Sequence, residues 1–179
     1  MIYSKYLQQY IPITVTKSTE KHNEKVHTTY CVKDGELKIG QIDITDTTKG
    51  IYVDFVENYE PNLYSGFNRV ANQIEVEHCL NRDLPQFQIN ADASLNSHAL
   101  HYKAGLRFSP IENPQKLKLL KEKYQCIDVN EIVKNIINET KQGEKYMTKA
   151  LGAIPMFMPK SLIDKYIKLS KTNPLIRGL

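Results

Sequence analysis

The sequence predicts an α+β fold: a mixed, mostly antiparallel sheet with flanking helices, followed by a C-terminal helical extension. Three observations carry that prediction. Apolar and polar residues alternate from Val26 to Val56, the period of half-buried strands. From Pro61 to Asn81 the spacing lengthens to that of a helix. In the last third, Asp128 with Glu131 and Ser161 with Asp164 set capping-box patterns ahead of apolar helical runs.

In the first strand Val26, Thr28, Tyr30 and Val32 share one parity. Asp34-Gly35 follows, a strong hairpin signal because the turn needs positive φ. The next strand starts with Leu37 and Ile39 on one parity and continues with Ile42 and Ile44 on the other. Gly40 sits at the change and predicts a β-bulge. After residues 47–50 comes a third strand, Ile51 to Val56, apolar enough to be central, which completes a meander. The helix over 61–81 carries Phe67, Val70, Ala71, Ile74 and Cys79, with Asn62 or Ser65 as its cap.

Residues 85–90 read as a short strand, about 94–103 as a second helix closed near Gly105, and Leu106 to Phe108 as a last strand. Pro114 to Tyr124, Ile132 to Ile137 and Leu162 to Leu169 then supply the helical tail. The organisation predicted is a core of residues 1–110 with a helical extension of residues 111–179 packed on it.

Composition limits the function classes. In 179 residues, 41% are hydrophobic and 25% charged, which fits a globular chain and not a disordered one. The longest nearly uncharged apolar stretch, Ala150 to Pro159, holds two prolines and is too short to span a membrane. Residues 1–10 lack the apolar run of a signal peptide. Cys31, Cys79 and Cys126 are odd in number and widely spaced, so a reducing cytoplasm is the expected location. The net charge of +4 divides unevenly: residues 1–110 carry 11 Lys and Arg against 13 Asp and Glu, and residues 111–179 carry 13 against 7. The basic part, with Lys116, Lys118, Lys121 and Lys123 among leucines, reads as a soluble helix face, and nucleic acid is not an expected partner.

Residues 51–108 resemble the GNAT superfamily of N-acetyltransferases. Ile51 to Val56 is similar to the family's central strand. Pro61 to Asn68 is similar to its pyrophosphate loop, with Pro61 and Gly66 in matching places. Phe67 stands for the usual aliphatic residue, Tyr64 for the family's arginine and Asn68 for its last glycine, and the loop is one residue shorter. Asn96, Ala99, Tyr102, Gly105 and Phe108 resemble the second signature, with Tyr102 one residue early and Gly105 two early.

The resemblance implies an acyl-CoA N-acyltransferase-like fold that binds acetyl-CoA or another acyl-CoA. It implies an amine acceptor, either a small molecule or a protein, and leaves a homodimer open. The cofactor-binding residues it implies are Phe55, Val56, Ser65, Gly66, Phe67, Asn68, Arg69 and Asn96. Tyr102 is implied as the acid for the leaving thiolate and Glu57, just past the strand, as the base. A helix N-terminus suits pyrophosphate because its unpaired N–H groups and dipole favour an anion. A non-catalytic binding or assembly module on the same fold, using the helical tail as its surface, is the alternative.

Two rival constellations are weaker. His98 and His101, three apart on one helix, could face a metal with His78 or Cys79 as a third ligand, but the paired spacing of a structural zinc site is missing. A nucleophile pair of Cys79 and His98 has nothing in the sequence to bring it together.

Overall fold

A computed structural model describes residues 1–23, 25–48, 50–82, 88–93, 101, 104–108, 114–115, 118, 121–122 and 154–176. The fold is α+β, with two helices and a mostly antiparallel arrangement of strands among these residues. The helices expected over 94–103, 114–124 and 128–143 lie outside the described residues, or nearly so. Contacts divide the chain into one unit of residues 1–89 with 161–179 and a second of residues 90–160.

The first unit opens with two short strands, β1 (Ile2–Ser4) and β2 (Gln9–Ile11), that the sequence does not announce. They pair antiparallel, Ile2 opposite Ile11 and Ser4 opposite Gln9. Then come β3 (Thr14–His22), β4 (Lys25–Asp34), β5 (Leu37–Asp46) and β6 (Gly50–Asn58), an antiparallel meander of four strands where the pattern predicts three. Most of β3 is exposed, so it shows no buried parity to read.

The Asp34-Gly35 turn forms as expected, with Asp34 opposite Leu37 and Gly35 at φ 56°. The bulge expected at Gly40 is also there. Val32 pairs with Gly40 and Lys33 with Lys38, so Ile39 is the extra residue, and both Ile39 and Gly40 are buried. A second bulge has no counterpart in the sequence pattern: Asp43 pairs with Phe55 and Ile44 with Val53, which leaves Asp54 unmatched on β6.

After the two-residue strand β7 (Tyr64–Ser65), which pairs with β1, helix α1 runs from Phe67 to Asn81. Neither Asn62 nor Ser65 caps it. Gly66 is the N-cap, in the left-handed conformation at φ 86°, with no side-chain capping bond. The helix therefore starts later than the proline suggests, because the chain first forms a turn at Glu60 and then pairs with β1.

Every residue of α1 from Val70 to Cys79 is buried, although Asn72, Gln73, Glu75, Glu77 and His78 are polar. Helix α2 (Lys160–Thr172) explains part of this. It buries Ile163, Tyr166 and Ser170 at helical spacing, and Tyr166 hydrogen-bonds Asn72. Beyond α2, Gln73 Nε2 donates to the Asn173 carbonyl at 2.7 Å, and the Glu77 carboxylate accepts from the amides of Leu175 and Ile176 at 2.7–3.0 Å. Buried polar groups thus find partners about a hundred positions away, as burial requires.

In the second unit, β8 (Gln88–Ala93, entering from Asn90), β9 (Arg107–Phe108) and β10 (Ile154–Phe157) are joined edge to edge. The last strand in sequence, β10, lies between the other two and runs antiparallel to both. This corrects the reading of the whole tail as helical. Residues 154–157 extend because they complete the ladder between β8 and β9, and Met156 is fully buried there with Ala91 and Phe108 as cross-strand partners. No helix among the described residues is long and apolar enough to cross a membrane.

Candidate functional site

The site is best built from the loop that leads into α1. Leaving β6, Asn58 Oδ1 accepts the Glu60 amide, and the Glu60 carbonyl takes the amides of Leu63 and Tyr64. Tyr64 is buried, and its hydroxyl donates to Asp34 in the β4–β5 turn at 2.8 Å. The loop is thereby held at both its own turn and a neighbouring hairpin. Gly66 then turns left-handed and delivers the chain into the helix. Its carbonyl accepts the Arg69 amide at 3.0 Å and the Val70 amide at 3.4 Å. The amides of Phe67 and Asn68 precede the first helical bond and point out of the helix end.

This junction opens on a cleft of about 620 Å³, lined on one side by Ser65, Gly66, Arg69 and Gln73 and on the other by Tyr3 and Tyr10. A Cβ on Gly66 would meet nothing within 4 Å, so a ligand can approach the backbone there. Among the described residues that line the cleft, none carries a carboxylate side chain. With Arg69 exposed at its mouth, the cleft suits an anion.

The implied residues fall into three groups. Ser65, Gly66 and Arg69 meet at the cleft, with the half-buried Asn68 beside them in sequence. Phe67 turns the other way. Its ring packs under Gly40, where a Cβ would sit 2.4 Å from the ring and 2.3 Å from the Glu57 carbonyl. Gly40 therefore serves both the bulge and the helix start, and the Phe67 side chain belongs to the core.

Phe55, Val56 and Glu57 follow the bulge at Asp54. Val56 pairs with Ile42, which pairs with Tyr30, so it shares the face that α1 covers. Phe55 and Glu57, both exposed, project from the opposite face. Asn96 and Tyr102 lie outside the described residues, as does His98.

His78 is not available as a metal ligand. Its Nε2 lies 2.6 Å from Asp46 Oδ1, and its Nδ1 lies 2.8 Å from the Tyr30 hydroxyl. Arg82 joins Asp46 at 3.0 Å. Burial lowers the His78 pKa against the opposing pull of Asp46, so the ring is neutral. Asp46 accepts from Nε2–H and Tyr30 donates to Nδ1, which leaves no nitrogen free. Among the described residues no group of three metal-ligating side chains is assembled.

Cys79 is equally unsuited to nucleophilic work. It is fully buried, and burial with Glu75 close by pushes its thiol up to about 12. Glu75 itself has one carboxyl oxygen without a partner, and burial raises its pKa to about 8. It is therefore protonated at neutral pH.

Compared with models of protein families and with curated protein sequences, the chain matches none.

Proposed function

We propose that the chain is an acyl-CoA-dependent N-acyltransferase, which moves an acyl group from acetyl-CoA or a related thioester to an amine. The observation that carries this reading is the junction at Gly66: a left-handed glycine starting α1, open to solvent, on a cleft with Arg69 and, among the described residues, no carboxylate side chain. These residues fit a pyrophosphate. The two leading amides and the helix dipole meet its charge, the glycine lets it come close, and Arg69 adds an exposed cation.

When bound, acyl-CoA supplies the activated thioester carbonyl. The bulge at Asp54 bends β6 where Phe55 and Val56 would orient that carbonyl through their backbone. Glu57 is exposed beyond the bulge and free of the core, so it can take a proton from an amine directly or through water. Tyr102 keeps the role that the resemblance implies, as the acid for the thiolate.

The reading is tested by thermal melting with acetyl-CoA. The cofactor should raise the Tm of the native chain. Gly66→Glu should lose that increment relative to its own baseline, since its carboxylate would repel the pyrophosphate. No shift at millimolar acetyl-CoA would overturn the reading. Binding without turnover on any amine would leave a non-catalytic acyl-CoA-binding module.

A further inference from the structure

On the sheet face opposite α1, side chains from three adjacent strands form one hydrogen-bonded chain. His27 on β4 is the register partner of Thr45 on β5. The bulge on β6 brings the Asp54 carboxylate to the same hydroxyl. Thr45 Oγ1 donates to Asp54 Oδ2, and it lies 2.8 Å from His27 Nδ1. A threonine hydroxyl has one proton. With that proton given to Asp54, the oxygen can only accept from His27, so Nδ1 carries the ring hydrogen and Nε2 presents its lone pair. Thr45 is buried, while His27 is half-buried and Asp54 is exposed. No described residue bonds Nε2. The contrast with His78 is direct, since there both nitrogens are engaged.

The location of this chain gives it a use. The row His27–Thr45–Tyr52 runs across β4, β5 and β6, and the neighbouring row on the same face is Thr29–Asp43–Phe55. A molecule lying over the exposed Phe55 would therefore border the row that holds His27.

We propose that His27 is the general base that deprotonates the amine acceptor, with Thr45 and Asp54 as the residues that position its ring. The proposal rests on the acyltransferase reading and takes the base's role from Glu57. His27 Nε2 accepts a proton from the amine, whose nitrogen attacks the thioester carbon. The C–N bond forms and the C–S bond breaks. The thiolate leaves and is protonated by the acid of the proposed function, which regains its proton from solvent, and the imidazolium returns its proton to solvent. Asp54, connected through Thr45, holds the ring in this tautomer while the proton is transferred.

The experiment uses the full chain with acetyl-CoA as donor and spermidine or a lysine-containing peptide as acceptor, alongside acetyl-CoA melting shifts. His27→Gln should lower kcat about a hundredfold, in the range of a lost general base, with the acetyl-CoA shift unchanged. Thr45→Val should also lower kcat, and Thr45→Ser, which keeps the hydroxyl, should restore it.

Nitrogen NMR of the native chain should show the Nδ1–H tautomer at His27, lost in Thr45→Val and kept in Thr45→Ser. An Nε2–H tautomer would overturn the assignment. So would native turnover that survives in His27→Gln, or cofactor binding with no turnover on either acceptor. Absence of any acetyl-CoA shift would instead remove the acyltransferase reading, and His27's part with it.

Discussion

The Tyr30 hydroxyl meets His78 Nδ1 at 2.8 Å inside the first unit, 48 residues away in sequence, and so links the meander to α1. Both groups are shut off from water, Tyr30 completely and His78 to 4% exposure. Tyr30→Phe should therefore leave an orphaned ring nitrogen and lower stability by about 1–3 kcal/mol. Urea unfolding of the two proteins at pH 7 measures the difference.

The same histidine sets a pH trend. Its pKa is lowered in the folded state below the ordinary 6.5, so the unfolded chain binds the proton more readily. Its contribution is present above pH 6.5 and lost as pH falls through the lower folded value. Glu75 acts in the opposite sense. Its folded pKa of about 8 exceeds the ordinary 4.5, so folding is favoured below 4.5 and loses stability as pH rises towards 8. Glu75→Gln should abolish that second slope and be more stable than the native chain at pH 8, by on the order of 3 kcal/mol. Denaturant midpoints from pH 4 to 9 separate the two effects.

Two glycines should fail for different reasons. Gly40→Ala places a Cβ at 2.3 Å from the Glu57 carbonyl and 2.4 Å from the Phe67 ring, so it should cost about 3 kcal/mol or more, or prevent folding. Gly66→Ala has open space but a φ of 86°, and should cost about 1–2 kcal/mol. Melting curves of both variants check the order.

Arg69 is exposed and lines the cleft. Arg69→Ala should leave the native Tm nearly unchanged and weaken acetyl-CoA binding about tenfold, the effect of one charge-assisted contact. Titration calorimetry at two salt concentrations reads it, and the loss should shrink at high salt.

Glu77 should hold the segment after α2. Its carboxylate accepts from Leu175 and Ile176, and Gln73 binds Asn173 from the same side of the helix. Glu77→Ala should speed hydrogen exchange at residues 175 and 176 at least tenfold and expose the segment to carboxypeptidase, while exchange in β4 and β5 stays slow.

Strands β4 to β6 of the meander were legible because their signals are local: alternation, an Asp-Gly turn and a glycine where the parity changes. The bulge at Asp54 was not, since apolar residues stand on both parities of Ile51 to Val56 and a single charged residue among them reads equally as the solvent-facing side of a regular strand. Strands β1 and β2 have three residues each, too few for any period. Strand β10 exists through its neighbours β8 and β9, a pairing that no window of sequence contains.

Gly66 could be found as a glycine before a helical run. Its capping role is not legible, because the chain enters the helix through backbone conformation, while the pattern offers the side chains of Asn62 or Ser65. The pairing of His27 with Thr45 and Asp54 depends on strand register, which the residues by themselves leave open.

The hold of Glu77 on residues 175 and 176 also fixes an order of events during synthesis. A ribosome completes α1 long before it reaches α2, so the newly made helix has Gln73 and Glu77 without their partners in residues 173–176 for nearly a hundred codons. The first unit can assemble its meander early, yet it closes only when the far segment arrives. A pause in translation ahead of residue 161 would prolong the interval in which that polar side of α1 is open to other chains or to chaperones.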